Sequence, residues 1–510
     1  MKKQTYLTAA WMSLTLPIGV STAAEPTNAE LYQMILEMKR ELSATKAENQ
    51  ELKKLIGTPP KAPIAVVGGK AHGTVKSGEP VVDDYDETKA VKSQPIAMKG
   101  KMEESYLKFQ SADGNIAYKI DGRIMLDGGF VKNNKDNEKD LLSNTEIRRA
   151  RLAFKTKLYQ DWASEFDLEF AGAKTAAEEV KGTVSGTKWT DTSSYQKLGV
   201  IEIKDMWVAY EGFLNTTIKV GNHKPPFGMD EVTTSRWLTF MESAMIAEAF
   251  LPGRRMGLSV AHWQDLFFAS VGVIGDEPNF NPKDSTTGRA ERFGWSGRAA
   301  VRPFIQDGGE KILHLGGNYM HRQLQSEEVD GVYKISVRPE AHFVDYKYLT
   351  TKSKLDNVDG ITTWGLELAG KWDRFYAQAE YMKNTAERYG GKTDAEMDGW
   401  YAQVSYFLTN DSRPYNLSDA EFGAVKPNEK MGAVEIAIRY STLDLNDSGA
   451  GVMGGGSESI TVGLNWYVNN NLILRTNYIH VNNDDNAGVL AKYPTNDTLN
   501  ILGSRVELLF

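Results

Sequence analysis

The chain has 510 residues, with 59 Lys and Arg against 67 Asp and Glu, and a formal net charge of −8. This acidic balance argues against a dedicated nucleic-acid binder, which carries a basic surface. The sequence contains no cysteine, which excludes disulfides and cysteine-based metal sites. Mean hydropathy is −0.42, and the one long apolar run lies at the N-terminus. A bundle of transmembrane helices is therefore excluded. A transmembrane β-barrel is not excluded, because only every second residue of its strands faces the lipid.

The first 24 residues have the pattern of a removable export signal. Two lysines follow Met1, a mostly apolar stretch runs over 7–20, and small residues ending at Ala24 precede Glu25. We therefore predict a signal peptide over 1–24 and an exported protein. The alternative is a membrane anchor or a buried helix, but the apolar stretch is too short to span a bilayer comfortably.

Residues 25–57 are predicted to form a coiled-coil segment. Apolar residues recur at spacings of four and three from Leu31 to Ile56, and charged residues fill the outer positions. The stripe favours self-association, with a single amphipathic helix on a surface as the alternative. Residues 58–104 have no sustained period and contain several prolines and glycines, which is typical of a flexible linker.

From residue 105 to residue 510 the hydrophobic pattern has a period of two, as in β-strands. In one segment, for example, Leu152 and Phe154 lie on one face, and Arg151 and Lys155 lie on the other. The same alternation recurs at 166–170, 292–302, 364–372, 400–408 and 460–468. Segments of about ten residues with aromatic side chains near their ends suit the tilted strands of a transmembrane barrel. A soluble all-β sandwich, whose strands average about five or six residues, is the alternative.

The connections between these segments predict the number of strands, because outer-membrane barrels alternate short turns at one end with long loops at the other. Short links lie at 160–161, 213–214, 264–265, 373–374 and 469–471, and long polar links lie near 131–144, 173–198, 222–254, 276–291, 385–397, 443–456 and 484–497. Alternation is kept if 323–360 is one outer loop and 410–430 is a long connection at the turn end. The predicted fold is therefore an all-β, 16-stranded antiparallel transmembrane β-barrel over 105–510, with an N-terminal periplasmic coiled-coil helix.

Alternation also predicts which basic side chains face the lumen, because Arg or Lys facing lipid at the bilayer midplane costs about 2–4 kcal/mol. The predicted lumenal residues are Arg123, Arg149, Arg151, Lys155, Lys157, Arg255, Arg292, Arg298, Arg302, Arg439, Arg475 and Arg505. Alternation would place Arg148 on the lipid-facing side, so this residue is expected to lie beyond the apolar band. The basic rows can form an anion path. Alternatively they are ordinary wall charge, since Glu165, Asp167 and Glu169 face inward on a neighbouring strand and can cancel them by cross-strand pairing.

The connection at 222–254 is a candidate constriction loop. Pro225, Pro226 and Gly228 interrupt the strand pattern, and 234–248 is compatible with a short helix. The residues expected near the narrow point are Lys224, Arg236, Arg254 and Arg255, with Arg338 contributed by a fifth loop that folds inward. The alternatives are an extracellular flap for the third loop, and a place at the channel mouth for Arg338.

Several long segments resemble the phosphate-selective porin O and P family. They are 148–152, 220–229, 234–242, 252–257, 338–340 and 439–441. The resemblance covers 105–510 and implies a trimeric, sixteen-stranded outer-membrane porin whose inward-folded loops narrow the channel. It favours the constriction role of the third loop. Val506, Leu508 and Phe510 share one face and resemble the C-terminal signal that the barrel-assembly machinery reads in outer-membrane barrels.

The sequence thus predicts an outer-membrane porin that forms a passive, water-filled channel for small solutes, with anions such as phosphate as the first hypothesis. A general or cation-tolerant diffusion porin, and an envelope-structural or adhesion barrel, are the alternatives. The expected partners are outer-membrane lipid, small hydrophilic solutes or inorganic anions, two further copies of the chain in a homotrimer, and the assembly machinery through Phe510. The sequence carries none of the common catalytic motifs and no metal-ligand spacing, so we predict no enzyme, no cofactor, no metal site and no nucleic-acid partner.

Overall fold

The computed structural model describes residues 98–103, 106–133, 144–171, 180–184, 187–191, 201–275, 292–306, 309–324, 332–344, 346–352 and 354–510. The predicted signal peptide (1–24), the coiled-coil segment (25–57) and the linker up to residue 97 lie outside the described residues. The strands Met98–Glu103 and Tyr106–Ser111 pair with each other, and the second of them pairs with the first barrel strand. The first of these two strands falls within the segment assigned to the linker.

Sixteen antiparallel strands close into a barrel, because each pairs with the next along the chain and the last pairs with the first. They are β1 (Ile116–Asn133), β2 (Asn144–Leu158), β3 (Trp162–Glu169), β4 (Glu202–Tyr210), β5 (Thr216–His223), β6 (Arg255–Trp263), β7 (Phe267–Ile274), β8 (Gly294–Gln306), β9 (Lys311–Gln323), β10 (Val358–Trp372), β11 (Phe375–Arg388), β12 (Ala395–Phe407), β13 (Ala433–Asp447), β14 (Val452–Tyr467), β15 (Leu472–Asn483) and β16 (Thr498–Leu509). The closing register of β16 on β1 runs from Leu499 opposite Asn133 to Leu509 opposite Arg123. The prediction of a closed sixteen-stranded barrel is confirmed.

The two faces of the wall follow the alternation in the sequence. In β10, Leu366 and Leu368 are 58% and 50% exposed, whereas Glu367 between them is 4% exposed. A continuous band of rings crosses the outer face of β8 to β13, formed by Trp295, Tyr319, Trp364, Tyr381, Trp400 and Tyr440. Apolar residues outside, polar residues inside and an aromatic band are the features of a transmembrane barrel.

Short turns mark one end of the barrel, called here the turn end, and the long loops mark the other, the loop end. Two of the predicted long links are much shorter in the structure: 443–456 is reduced to the turn 448–451, and 385–397 is reduced to 389–394. The alternation is reversed there, since the exposed Asp444 pairs with Gly456 across β13 and β14, while Leu443 and Leu445 are buried inside the barrel. The outward apolar pattern in the sequence therefore ends before the hydrogen bonding does.

Among the described parts of the connections, three groups fold into the barrel: the third loop (224–254), the described residues of the fifth loop (324–357) and the turn-end insert (408–432). The third loop carries two short helices, α1 (Met229–Val232) and α2 (Met245–Phe250). The predicted helix over 234–248 is thus shorter and begins later. Neither helix of the described part has the length or hydropathy needed to cross a membrane. Short strand pairs join Val332–Tyr333 to Leu355–Asp356 and Ser336–Val337 to Leu349–Thr350 in the fifth loop, and Tyr415–Asn416 to Glu421–Phe422 in the insert.

These connections form an apolar core inside the barrel. Phe227 and Ile246 of the third loop pack with Ile335 and Val337 of the fifth loop and with the wall residue Met382. The insert packs in the same way, with Phe422 against Met229, Ile312, Ala369 and Tyr376. The assignment of 323–360 to one loop agrees with the structure. Burial of apolar side chains on both loops explains why the loops enter the barrel instead of covering it.

Candidate functional site

A cavity of about 720 Å³ remains between the third loop, the turn-end insert and the wall formed by β1 to β8. Its basic lining residues are Lys119, Arg123, Lys155, Lys157, Lys219, Lys224, Arg236, Arg254 and Arg298. Its acidic lining residues are Asp121, Glu165, Asp167, Asp205, Glu211, Asp419 and Glu421. Nine basic groups thus face seven acidic groups, which leaves a small excess of positive charge around the space that a solute would enter.

Seven residues predicted from the sequence line this cavity: Arg123, Lys155, Lys157 and Arg298 from the barrel wall, and Lys224, Arg236 and Arg254 from the third loop. The other predicted residues lie elsewhere. Arg302 is fully buried and donates to the carbonyls of Gln264, Asp265 and Phe267 at a turn. Arg338 lies on the fifth loop, with Nη1 3.2 Å from Glu248 Oε1 of α2.

Three further predicted arginines also have protein partners. Arg255 Nε donates to the Pro252 carbonyl at 3.1 Å, and Arg292 donates to the Leu324 carbonyl. Arg439 is bound by Glu340 of the fifth loop at 2.7 Å. The N–H groups of these side chains therefore bind the loops that fill the barrel.

Several residues of the cavity were missed from the sequence. Lys219 of β5 lies in the wall, with Nζ 4.4 Å from the ring centroid of Trp207. Lys219 stands between Ile218 and Val220, so the same parity rule would have found it. Lys119 of β1 lies further along the cavity and forms an ion pair of 3.3 Å with Asp121.

Cross-strand ion pairs neutralise much of the wall. Arg151 Nε lies 2.6 Å from Glu169, and Lys155 Nζ lies 3.0 Å from Glu165. Such cross-strand pairs are expected if the rows of basic residues are ordinary charges of the barrel wall and do not form an anion path. The carboxylates of Glu165, Asp167 and Asp205 approach one another within 4.8 Å. Each also has a cation beside it: Lys155 for Glu165, Arg151 for Asp167 and Arg254 for Asp205.

Two guanidinium groups near this wall, Arg123 in the lining of the cavity and Arg149 outside it, form no such ion pair among the described residues. Among the described residues, Arg123 donates to the hydroxyl of Thr234 at 3.2 Å, and its Nε is buried without a partner. Two nitrogens of Arg149, Nε and Nη1, are also buried without a hydrogen-bond partner. Arg123 stands opposite Arg151 in the register of β1 on β2, and Arg149 stands opposite Met125 on the same face. Positive charge is therefore concentrated where these strands pass the third loop.

Arg148 lies inside the barrel, which corrects the expectation that it lies beyond the apolar band. The register of β1 on β2 shifts between Met125 and Leu126, so Arg148 is the extra residue of a β-bulge. Its Nε and Nη2 each donate to Glu242 of the third loop at 2.8 Å. The bulge lets two successive arginines face inward, a result that strict alternation cannot predict.

Two carboxylates outside the spanning strands respond to these charges in opposite directions. Burial works to raise the pKa of Glu242, but Arg148 and Arg505 outweigh it and hold that pKa well below its usual value. Burial and the nearby Asp419 raise the pKa of Glu421, in the turn-end insert, to about 8, with Lys224 opposing the shift. Glu242 is therefore an ionised anchor, and Glu421 is neutral at pH 7.

Comparison with known proteins gives concordant results. The family model described as "Phosphate-selective porin O and P" matches residues 118–508. The chain is similar to an uncharacterised protein of Caulobacter vibrioides, 26% identical over 528 residues that cover 100% of this chain and 98% of that one. It is also similar to Porin O of Pseudomonas aeruginosa, 25% identical over 74% of this chain and 86% of the relative. Among solved structures, OmpT of Vibrio cholerae in its trimer form covers 78% of this chain and 99% of its own, at 10% identity and a TM-score of 0.46.

Proposed function

Because the chain belongs to the phosphate-selective porin O and P family, and is therefore an outer-membrane porin, we propose that it is a passive channel for small inorganic anions such as phosphate. Solute enters a water-filled lumen, passes the folded-in loops and leaves through the cavity beside β1 to β8. The third and fifth loops set the width of the path, and the wall charges set its preference for anions.

The observation that carries this proposal is the pair Arg123 and Arg149. A buried guanidinium nitrogen without an acceptor is costly, and an oxyanion offers the acceptors that its planar donors fit. The neighbouring ion pairs, such as Lys155 with Glu165, leave these two groups as the places where an anion gains most. An anion held by two or three donors at a time can also leave, as conduction requires.

A second candidate, a general or cation-tolerant porin, is favoured by the seven acidic residues that line the cavity. Wall residues that are already ion-paired repel neither cations nor anions strongly. A channel lined mainly by such residues would therefore select solutes by size. A third, an envelope-structural or adhesion barrel, would not conduct at all. The three differ in what crosses the membrane, and current measurements separate them.

Planar-bilayer recording of the purified porin tests the proposal. Under a KCl gradient we expect a reversal potential on the chloride side, and we expect inorganic phosphate to block the chloride current. Arg123→Gln with Arg149→Gln should move the reversal potential toward potassium and weaken phosphate block about tenfold, the loss expected for a charge-assisted hydrogen bond. Lys132→Gln, which removes one positive charge at an exposed site of β1, is the control. An unselective current without phosphate block would favour the general porin, and absence of conductance steps would favour the structural role.

We further propose a homotrimer embedded in outer-membrane lipid, with the turn end and the N-terminal segment (25–104) in the periplasm. Short turns at the periplasmic side are the rule for outer-membrane barrels. The predicted coiled coil would then associate between the copies, and Phe510 would be read by the barrel-assembly machinery. Mass measurement in detergent, with and without residues 25–57, tests the trimer and the contribution of that segment.

A further inference from the structure

Four arginines hold one stretch of the third loop, residues 236–242. Arg475 of β15 donates to the carbonyl of Arg236 at 3.0 Å, and Arg413 of the turn-end insert donates to that of Trp237. Arg505 of β16 donates to the carbonyl of Met241, and Arg439 of β13 donates to that of Glu242 at 3.0 Å. We call Arg413, Arg439, Arg475 and Arg505 the loop-holding arginines.

The stretch needs these donors because it is neither helix nor strand. Residues 233–244 form turns and bends between α1 and α2, so their carbonyls have no regular backbone partners. Buried carbonyl groups are costly unless they are hydrogen-bonded. Asn465 of β14 supplies the same kind of bond, from Nδ2 to the Thr239 carbonyl at 2.7 Å. Strands β13 to β16 thus each contribute one side chain to the third loop.

Each loop-holding arginine is also neutralised by a carboxylate. Arg439 lies 2.7 Å from Glu340, Arg413 lies 3.0 Å from Glu435, and Arg505 lies 2.7 Å from Asp127. Arg475 is paired in the same way with Glu507. One part of each guanidinium therefore binds a carboxylate while another nitrogen binds the loop, which a lysine ammonium, lacking a planar fork, cannot reproduce.

None of the four is more than 2% exposed, and each is already neutralised by a carboxylate, so they offer little charge to a solute. Arg123 and Arg149 differ from them because neither forms an ion pair among the described residues, although Nε of Arg413 and Nε of Arg475 are also buried without an acceptor. The arginines inside the barrel therefore include two groups with different partners.

We infer that the loop-holding arginines are positioning residues that fix the third loop and so set the width of the channel, and that they are not steps of the anion path. This inference rests on the proposed function, since it assumes that solute passes the third loop. It assigns charge selectivity to Arg123 and Arg149 on one wall, and pore size to the arginines on the opposite wall and the insert.

The test is a charge-neutral variant, Arg475→Gln with Glu507→Gln, which removes the pair without leaving a buried charge alone. Its folding is checked by the heat-dependent shift of the barrel band on a gel. We expect single-channel conductance to change and voltage-induced closures to become several-fold more frequent, with the reversal potential unchanged. Arg439→Lys, which keeps the charge and loses the fork, should produce the same instability. A shifted reversal potential with unchanged conductance and closure would place Arg475 in the ion path and overturn the inference.

A second readout does not depend on ion selectivity. The native chain has no cysteine, so Ser235→Cys provides a single site in the third loop for a nitroxide label. We expect the label to be several-fold more mobile in the Arg475→Gln, Glu507→Gln background than in the wild-type background, and unchanged in the Lys132→Gln background. Equal mobility in all three would overturn the inference even if the channel proved anion-selective. A mobile label in a channel without anion preference would instead count against the proposed function alone.

Discussion

Individual charged residues inside the barrel differ chiefly in what they bind. Arg298 illustrates one extreme, since its guanidinium binds Glu367 at 2.8 Å and the carbonyl oxygens of Asp419 and Ala420. Such a residue stabilises the insert and offers little to a passing ion. Arg149, with two unsatisfied nitrogens, illustrates the other extreme. The sign of a side chain therefore does not indicate its role, whereas its partners do.

Glu421 provides a prediction about pH. Because its pKa is raised from 4.5 to about 8, it is neutral at pH 7 and gains a negative charge in the cavity as the pH rises to 9. We expect anion preference, measured as the reversal potential under a KCl gradient, to decline over this interval. The folded state holds the proton more tightly than the unfolded chain, so stability should also fall as the pH rises from 4.5 to 8.

The matched control for this prediction is a second acid of the same insert. Glu421→Gln should abolish the decline in anion preference, and Glu429→Gln, at an exposed position, should leave it intact. An unaltered decline in Glu421→Gln would mean that another group titrates.

At the scale of single residues, sequence parity located Arg123, Lys155 and Lys157 on the cavity wall, because alternation fixes the face on which a strand residue lies. It could not locate Arg148, since a bulge resets the alternation. It also could not distinguish Arg149, whose Nε and Nη1 have no partner among the described residues, from Arg475, which binds Glu507 and the carbonyl of the distant Arg236.

Among the elements, the turn-end insert most directly affects the part of the cavity nearest the turn end. Phe422 packs edge-on against Tyr376 at 4.6 Å and against Tyr415 at 5.0 Å, and the adjoining Asn416 and Ser418 line the cavity. The insert is therefore held by aromatic packing as well as by Arg298 and Arg302.

Phe422→Ala should loosen the insert, because truncating a buried Phe typically costs about 3–5 kcal/mol. We expect a larger single-channel conductance and a larger cut-off in liposome-swelling assays with sugars of increasing size. Phe375→Ala, on the lipid-facing side at 45% exposure, serves as the control. An unchanged size limit in Phe422→Ala would show that the insert does not narrow the path.

The strands were largely predictable from the sequence, because short turns and long links alternate along the chain. The ends of β13 and β14 were not, since pairs such as Asp444 with Gly456 continue the ladder without an outward-facing apolar residue. The inward packing of the third and fifth loops could not be derived either. Ile335 and Val337 appear in the sequence as an ordinary short strand, and their burial depends on Ile246 and Phe250 about ninety residues earlier.

At the scale of the whole molecule, the apolar core inside the barrel lies between the loops and the wall of β7 to β14, and the polar cavity lies beside β1 to β8. The cavity is therefore displaced toward the first half of the barrel. The composition gives only the net charge of −8 and does not reveal this division, because both halves contribute charged residues to the interior.

Closure of the barrel predicts the effect of a change at Gly122. Its N–H donates to the Phe510 carbonyl at 2.5 Å, and the Phe510 N–H donates back at 3.1 Å. A Cβ at position 122 would lie 2.6 Å from the Phe510 ring, so Gly122→Ala should destabilise the seam by roughly 1–3 kcal/mol, the usual cost of overpacking.

We expect Gly122→Ala to lower the temperature at which the heat-dependent gel shift occurs, although the C-terminal sequence is unchanged. Gly297→Ala is the control, because its Cβ would meet only the Ser270 carbonyl at 3.7 Å. Equal transition temperatures for the two variants would contradict the importance of this contact.

The contact between Phe510 and Gly122 also has a consequence for biogenesis. Phe510 completes the ring opposite Gly122, a residue almost four hundred positions earlier in the chain. Until the two strands meet, the edges of β1 and β16 remain unpaired, and an open edge readily recruits other strands. A chain whose β16 has not yet paired with β1 would thus be an aggregation hazard, and keeping it bound to a chaperone until the ring closes would prevent this.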